Sequence, residues 1–427
     1  MKRFNLFGSS GLKKLVGSIR LSELKSLNRF NSSIQQFNNS VTIMQLFDVY
    51  PLYDLEPVRG KGSYVYDPAG KSYLDFYGGH AVISIGHSHP HYVKRISAQL
   101  QKLGFYSNSV QNPLQQELAQ KLGQVSACDE YQLFLCNSGA EANENALKMA
   151  SFHNGRTKII AFERAFHGRT SAAVNATHSE KIKAPINKTY AVEFHAWNDL
   201  DSVQESLRKG DVSAVIIEGV QGIGGIHLPD ATFLQEVQKT CNETNTVFIL
   251  DEIQSGFGRT GAFFAFQHLG VEPDIISMAK GMGNGFPVGG ILLHPKFEAS
   301  YGLLGTTFGG NHLACAATLA VLEVLEQEDL IANAKEQGQI LLEALSQLKA
   351  PLEVRGVGLM IGVEMAAPVA ALRKKLLFEH GLFTGSSSDP NVIRLLPALN
   401  IGQKEVDQFL DIFSAVIENS TIQQFDN

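Results

Sequence analysis

The spacing of apolar residues changes along the chain. Residues 64–66 and 73–76 are short apolar and aromatic runs on either side of an Asp-Pro-Ala-Gly turn, which predicts a hairpin. From about residue 90, short apolar runs alternate with longer segments of helical periodicity. Strands are predicted at residues 133–135, 158–162, 214–217, 246–250 and 274–278, with helices such as 140–152 and 231–243 between them. This alternation is typical of a mainly parallel sheet that is covered by helices on both faces.

The order of elements changes after about residue 330. The pattern there predicts a helix at residues 331–348, a strand pair around 354–364, a helix near 369–379 and a strand at 392–396. These elements indicate a smaller α+β domain. We therefore predict an α/β protein with a segment, residues 44–89, that joins the small domain, a large domain over 90–310 and a C-terminal small domain over 311–427.

Residues 1–43 differ in composition from the rest of the chain. Seven Lys and Arg residues stand against one acid, Glu23, and Leu12, Leu15, Val16 and Ile19 have helical spacing. Such a basic, acid-poor segment is typical of an organellar transit peptide. Alternatively, Met44 is the true start of the protein, which we favour because a folded-domain pattern begins abruptly after it. Either way, we predict that residues 1–43 form no part of the fold.

Composition and charge exclude several classes of protein. Hydrophobic residues make up 44% of the chain and charged residues 18%, as in an ordinary soluble enzyme. The net charge of −6 argues against a nucleic-acid-binding protein, and no apolar run approaches the roughly 20 residues of a membrane-spanning helix. The four cysteines are scattered, which argues against a disulfide framework. We expect a cytoplasmic protein, or a protein of an organellar matrix if residues 1–43 are a transit peptide.

Two ionisable residues that follow predicted strands are the candidate catalytic and cofactor-binding residues. Asp251 comes directly after an apolar strand, at the edge where open α/β sheets place their ligands. Lys280 follows the strand at 274–278 and lies among small residues, although lysine normally prefers a solvated position. A desolvated lysine of lowered pKa suits Schiff-base chemistry. In enzymes of pyridoxal 5′-phosphate (PLP), an acid pairs with the ring nitrogen of the cofactor, so this pair predicts a PLP site.

The surrounding motifs make a family resemblance specific. Asp251 opens the segment DEIQSGFGRTG, and Lys280 lies in AKGMGNGFPVGG. Together they resemble the class III aminotransferases of PLP fold type I, and within that class the acetylornithine and ornithine enzymes. The resemblance runs from about Asp67 to about Pro397. It implies a homodimer with shared active sites.

The resemblance also implies which residues hold the cofactor, with Lys280 as the residue that carries it. Asp251 would pair with the ring nitrogen, and Gln254 would donate to the ring hydroxyl oxygen. Gly139 and Ala140, at the start of a helix, would bind the phosphate with their N–H groups. Phe166, in the motif Phe-His-Gly-Arg, would stack on the ring.

Further positions are implied to bind substrate or to complete the site from the partner. Arg169 would bind the distal carboxylate of the substrate, and Arg394 the α-carboxylate. Thr306 would touch substrate, and Thr307 would reach the PLP phosphate of the partner subunit.

Two departures from the family pattern bear on the substrate. Many relatives have Glu where this chain has Ile223, and that Glu masks the second arginine while the amine donor binds. Ornithine aminotransferases have Tyr where this chain has His80, and that Tyr helps to bind the free α-amino group of ornithine. The change at His80 favours an N-acylated donor.

The reaction implied is transfer of the terminal amino group of N-acetylornithine to 2-oxoglutarate. The alternatives are an N-succinylornithine aminotransferase, an ornithine aminotransferase, a PLP aminomutase and a non-catalytic PLP-binding protein. His87, His89 and His91 have two-residue spacing without a nearby cysteine or acid, so we predict no metal site there. In the family this motif is a turn into a helix.

Overall fold

The computed structural model describes residues 44–425, with side chains up to residue 418. The predictions for residues 1–43 therefore fall outside the described residues. Residues 44–55 contain no helix or strand and belong to one unit, and residues 56–425 belong to another, compact unit. All elements given below lie in this second unit.

The described strands form two seven-stranded sheets. In chain order they are β1 Arg59–Lys61, β2 Tyr64–Tyr66, β3 Ser72–Phe76, β4 Gln132–Cys136, β5 Lys158–Phe162, β6 Val192–His195, β7 Val212–Glu218, β8 Val247–Asp251, β9 Ile275–Met278, β10 Gly289–Leu293, β11 Pro351–Val357, β12 Met360–Met365, β13 Leu382–Ser386 and β14 Val392–Leu395.

The helices that pack around these sheets are also defined within the described residues. They are α1 Gly78–Ala81 (a left-handed turn), α2 Pro90–Lys102, α3 Pro113–Ser126, α4 Gly139–Asn154, α5 Ser171–Asn175, α6 Leu200–Leu207, α7 Ala231–Thr244, α8 His312–Gln327, α9 Leu330–Ser346, α10 Ala370–His380 and α11 Gln403–Phe425. Short 3₁₀ turns are Glu180–Ile182, Pro185–Asn187, Ala265–His268 and Lys280–Met282. No helix in the described part of the chain has both the length and the apolar character needed to cross a membrane.

The first sheet has the order β4-β10-β9-β8-β7-β5-β6 and is parallel except for β10, which runs antiparallel to both neighbours. Every residue of β7 and β8 is buried, because helices cover both faces of the sheet. These buried strands end at Glu218 and Asp251, which are paired in the parallel register. The sheet therefore brings two acidic side chains to one edge.

The second sheet has the order β1-β2-β3-β13-β14-β12-β11 and is antiparallel except between β3 and β13. It joins the N-terminal hairpin to strands from the C-terminal part of the chain. The domain boundaries given in the sequence analysis remain a prediction, because residues 56–425 lie in a single compact unit.

The elements predicted from the sequence are confirmed, with ends that differ by at most three residues. The hairpin of β2 and β3 is antiparallel, and the turn at His89 leads into α2. Four strands, β1, β6, β10 and β13, were not predicted. β10 begins with two glycines, which usually indicate a turn, whereas here they allow close approach to the backbone of neighbouring strands.

Arg259 ties the loop after β8 to the second sheet. Its guanidinium is buried and donates to the carbonyl oxygens of Leu359 (3.1 Å) and Pro397, and to that of Ile83 at 3.5 Å. Burial lowers the pKa of Arg259 to about 9, while Asp75 opposes this shift. The positive charge of the guanidinium is thus stabilised by the dipoles of carbonyl groups. Arg259 connects the three segments that contain Ile83, Leu359 and Pro397.

We expect Arg259→Ala to lower the free energy of unfolding by roughly 3 kcal/mol or more, because buried carbonyls lose a charged donor. Arg208→Ala is the matched control: Arg208 is exposed and donates to Gln204 on the same helix, so a change of about 0.5 kcal/mol or less is expected. Urea unfolding followed by circular dichroism measures both. Equal losses in the two variants would contradict the anchoring role.

Candidate active site

Three strand ends of the first sheet place Glu218, Asp251 and Lys280 around one cavity. β7 ends at Glu218 and β8 at Asp251, while Lys280 lies two residues beyond the end of β9. The C-terminal ends of adjacent parallel strands lie on one edge of a sheet, where α/β proteins bind ligands. The sequence prediction that Asp251 and Lys280 lie at strand ends is confirmed.

Lys280 lies at a strained point of the backbone. Its φ is +46°, in the left-handed region that residues with a Cβ rarely adopt, and it opens the 3₁₀ turn Lys280–Met282. Burial lowers the pKa of Lys280 to about 8, while Asp251 and Glu218 oppose this shift and Arg394 adds to it. Part of the side chain still faces the cavity. The side chain is therefore accessible from the cavity, and the uncharged fraction of the amine near neutral pH is much larger than that of an ordinary lysine.

Asp251 is held in place by three hydrogen bonds. Its Oδ2 accepts from Asn143 Nδ2 at 2.8 Å and lies 2.8 Å from His167 Nδ1, and its Oδ1 accepts from the backbone N–H of Ile253 at 3.0 Å. Asn143 Nδ2 also donates to the carbonyl oxygen of His167 at 2.8 Å, so the two partners of Asp251 are fixed relative to each other. All these groups are buried except Ile253. The carboxylate therefore has one orientation, toward the cavity that it lines.

Glu218 is a second buried carboxyl group in the same cavity. Its Oε1 accepts from the N–H of Phe166 at 3.1 Å and its Oε2 from that of Gly222 at 2.9 Å. Burial raises the pKa of Glu218 to about 7, and Asp251 adds to this shift while His167 opposes it. No role for Glu218, Asn143 or His167 was predicted from the sequence. The available signal for Glu218 was an acid at the end of an apolar strand.

The N-terminus of α4 forms one wall of the cavity. Ser138 caps this helix by accepting from the N–H of Glu141 at 3.2 Å, and Gly139 and Ala140 follow in the first turn. The N–H groups of a first helical turn have no partner within the helix and attract anions. A Cβ on Gly139 would lie 2.8 Å from side-chain atoms of Ile253, so the close packing here requires glycine.

Two adjoining cavities meet at Lys280. The first cavity has a volume of about 380 Å³ and the second about 470 Å³. Both are lined by Phe166, Arg169, Gln254 and Lys280, and the predicted residues Gly139, Ala140 and Asp251 line the first one. The structure thus brings together seven of the residues named from the sequence.

Arg394 is fully buried on β14 beside these cavities. Its Nε donates to the carbonyl of Ser386, its Nη1 donates to Gln254 Oε1 at 3.0 Å, and its Nη2 lies 3.3 Å from His80 Nδ1. Burial lowers its pKa to about 10, which Tyr77 and Glu218 oppose. These hydrogen bonds all go to neutral acceptors, so the guanidinium keeps an attraction for an anion.

Ile223 lines the second cavity and is anchored through its backbone. Its carbonyl oxygen accepts from the N–H of Ser388 at 2.9 Å, from Ser387 Oγ at 3.0 Å and from Ser388 Oγ at 3.1 Å. The turn that contains Ile223 is therefore fixed to the loop after β13 through the carbonyl oxygen of Ile223.

Thr306 and Thr307 do not reach the cavity of Lys280 within this chain. Thr306 Oγ1 accepts from the N–H of Gly309 at 3.0 Å and from Asn137 Nδ2 at 3.4 Å, and it borders a separate cavity. Thr307 is exposed. Their roles at a site shared between subunits remain predictions.

The histidines at positions 87, 89 and 91 contact three different carboxylates. His87 Nε2 lies 2.9 Å from Asp75 Oδ2, and His89 Nε2 lies 2.8 Å from Glu328 Oε1. His91 pairs with Glu323. The motif connects the turn and α2 to neighbouring elements instead of converging on one point.

Comparison with known proteins agrees with this geometry. The acetylornithine aminotransferase of Bacillus subtilis is 43% identical over 387 residues, which cover 89% of this chain and 99% of that protein. The acetylornithine aminotransferase structure from Elizabethkingia anophelis has a TM-score of 0.74 at 28% identity, over 92% of this chain and 99% of that one. An ornithine aminotransferase structure from Toxoplasma gondii, with partial occupancy of PLP at its active site, has a TM-score of 0.80 at 25% identity, over 95% and 99% of the two chains. The family model of class-III aminotransferases matches residues 49–417, and the chain therefore belongs to that family.

Proposed function

We propose that this chain uses PLP to transfer the terminal amino group of N-acetylornithine to 2-oxoglutarate, which gives N-acetylglutamate 5-semialdehyde and glutamate. The observation that carries the proposal is that Lys280 and the buried Asp251 lie at adjacent strand ends in one cavity. The B. subtilis relative, matched over 99% of its length, supports the acetylated donor. It favours this donor over N-succinylornithine and ornithine, and it favours an aminotransferase over an aminomutase or a non-catalytic protein.

The residues around the cavity fit PLP by their chemistry. Lys280 offers an amine of lowered pKa, Asp251 a carboxylate for a protonated ring nitrogen, and the first turn of α4 offers unpaired N–H groups for a phosphate. Phe166 supplies an aromatic face, and Gln254 an amide near Lys280. PLP, when bound, serves as an electron sink for the carbanion that forms when the substrate loses a proton.

The chain's own groups then supply proton transfer and orientation. Lys280 Nζ would hold the cofactor, and it would act as general base and acid at the substrate carbon. Asp251 would stabilise a proton on the ring nitrogen, and Asn143 and His167 keep its Oδ2 in one position. Because the hydrogen bonds of Asp251 are already formed, little reorganisation is needed during the reaction.

Arg169 and Arg394 account for the acceptor substrate. 2-Oxoglutarate has two carboxylates. We propose that Arg169 binds the distal carboxylate and that Arg394 binds the α-carboxylate. Arg169 lines both cavities with its guanidinium carbon 5.9 Å from the centre of the Phe166 ring, and Arg394 has only neutral partners among the hydrogen bonds described above. Two arginines are suited to planar carboxylates, which they bind through paired hydrogen bonds.

The proposal includes a homodimer in the cytoplasm, or in an organellar matrix if residues 1–43 direct import. Phe105 and Phe308 are exposed, with ring centres 5.3 Å apart, and Tyr106 and Val110 extend this apolar surface. An exposed apolar patch of this kind supports a protein interface. The surface lies beside the loop that contains Thr306 and Thr307, which supports a partner's approach at that loop.

We expect Lys280→Ala to lower kcat by about 10³-fold or more, because the general base and the covalent attachment point are both lost. Lys94→Ala, which changes an exposed lysine on α2, is the control and should leave kcat unchanged. Glutamate formation from N-acetylornithine and 2-oxoglutarate measures both. Full activity of Lys280→Ala would refute the assignment.

The lowered pKa of Lys280 predicts how the apoprotein takes up PLP as pH changes. Only the uncharged amine attacks the aldehyde, so the rate should rise with pH up to about 8 and then level off, whereas an ordinary lysine would give a rise to about 10.4. Absorbance of the cofactor measures the rate. Because Asp251 raises this pKa, Asp251→Asn should move the plateau to lower pH. A rate that keeps rising to pH 10 would contradict the assignment.

A panel of amine donors tests the substrate. We expect kcat/KM for N-acetylornithine to exceed that for ornithine and for N-succinylornithine by about tenfold or more, a difference typical of a few matched contacts. Glutamate should form only when 2-oxoglutarate is present. Faster turnover of another donor, or amino-group migration without a keto acid, would replace the proposed reaction with one of the alternatives.

A further inference from the structure

His80 is part of a left-handed turn that lines the second cavity. Gly78, Gly79, His80 and Ala81 all have φ between +56° and +68°. Two of these residues have a Cβ and are therefore in an unfavourable backbone region. Such strain persists only where surrounding contacts hold it, and it concentrates at functional positions. The strained backbone therefore makes His80 a candidate functional residue.

Three residues from distant parts of the chain form a closed ring of hydrogen bonds. Gln254 Nε2 donates to the carbonyl oxygen of His80 at 3.2 Å, and Gln254 Oε1 accepts from Arg394 Nη1 at 3.0 Å. Arg394 Nη2 closes the ring at His80 Nδ1, 3.3 Å away. The ring of Tyr77 packs edge-on against the imidazole, with ring centres 4.7 Å apart. Both the backbone and the side chain of His80 are thus set relative to Arg394.

The contact between His80 and Arg394 requires a neutral imidazole. A guanidinium only donates hydrogen bonds, so Nδ1 must accept and the ring proton must lie on Nε2. Burial lowers the pKa of His80 to about 4, and the charges of Arg394, Lys280 and Arg373 add to this shift. The imidazole is therefore uncharged near neutral pH. Its bond to Arg394 is weaker than that of a carboxylate would be.

The side chain of Ile223 provides no competing acceptor in this cavity. Ile223 lines the same cavity as His80, but its side chain is apolar and cannot form an ion pair with a guanidinium. Breaking a buried ion pair is costly, whereas exchanging a neutral acceptor for a carboxylate gains attraction. The absence of an acid at position 223 therefore leaves His80 as the group that an incoming anion would have to replace on Nη2.

We propose that His80 is the displaceable neutral partner of Arg394. Its Nδ1 holds Nη2 while the amine donor reacts, and it yields Nη2 to the carboxylate of the keto acid in the second half of the reaction. Arg394 then needs no acidic residue to alternate between the two substrates. This inference rests on the proposed function for the role of Arg394 and adds the residue that controls access to it.

Three substitutions at His80 separate this role from a purely structural one. Asn keeps a neutral acceptor and tolerates the left-handed backbone. Phe keeps an aromatic ring beside Tyr77 and removes the acceptor. Glu adds a carboxylate that would form an ion pair with Arg394. The measurement is the Kd of glutarate, an unreactive dicarboxylate, for the holoenzyme by titration calorimetry.

We expect an order of affinity that a damaged fold would not produce. His80→Glu should weaken glutarate binding by about tenfold or more, because an ion pair must break first. His80→Phe should tighten binding by about fivefold, since no hydrogen bond competes for Nη2. His80→Asn should stay within about threefold of the unaltered enzyme. In steady state, His80→Glu should lower kcat/KM for 2-oxoglutarate much more than for N-acetylornithine.

Two further measurements test whether His80 acts through Arg394. In an Arg394→Gln background the effect of His80→Glu should vanish, which shows that the two residues act on each other. A crystal structure of the unaltered holoenzyme with glutarate should show the carboxylate on Nη2, with Nδ1 beyond hydrogen-bond reach. A retained bond between His80 and Arg394 in that complex would overturn the proposal. So would unchanged binding in His80→Glu, or equal losses in the Glu and Phe variants.

These outcomes are separable from those of the proposed function. Glutarate lacks the reacting carbonyl, so its binding does not depend on which amine donor is used. If N-acetylornithine is not a substrate and the order of affinities holds, the role of His80 stands. If N-acetylornithine is turned over and the order fails, only the role of His80 falls.

Discussion

The site depends on the opposition between desolvation and charge attraction at the ends of β7, β8 and β9. Burial disfavours the charged form of Lys280, and Asp251 and Glu218 offset part of that loss. Because charges interact more strongly in a buried site than in water, a small change in their positions has a large effect on the lysine. Opposing effects also act on Glu218: burial raises its pKa to about 7, and the charge of His167 opposes that shift. The reactivity of the amine is therefore a property of the group and not of Lys280 alone.

The backbone makes this arrangement possible before any ligand binds. The parallel register aligns Glu218 with Asp251, and Asn143 from α4 fixes the orientation of the Asp251 carboxylate. Arg259 ties the loop that follows Asp251 to the second sheet. Catalytic groups held in this way need little reorganisation. The first sheet supplies the lysine and its acids, while the left-handed turn after β3 of the second sheet brings His80 to the second cavity.

The sequence predicted the parts of this site that local patterns encode. A buried strand followed by Asp251 or Lys280 has a distinct pattern, so the strand ends and the fold class were predictable. Contacts between remote segments were not. His80, whose imidazole contacts Arg394, is 314 positions away in the chain, and no period or motif indicates such a pair. β10 was missed because its opening glycines resemble a turn, and only the neighbouring strands show why glycine is needed there.

The anchoring of Ile223 has a consequence for how this family of sites can change. The contacts that fix its turn are made by the carbonyl oxygen, with Ser387 and Ser388 as donors. None of these contacts depends on the side chain at position 223, so they can persist when that side chain changes. Exchange of the apolar side chain for an acidic one would place a negative charge at the cavity while the hydrogen bonds of the turn stay the same. Evolution, or a protein engineer, can thus change the charge of this cavity through a single residue.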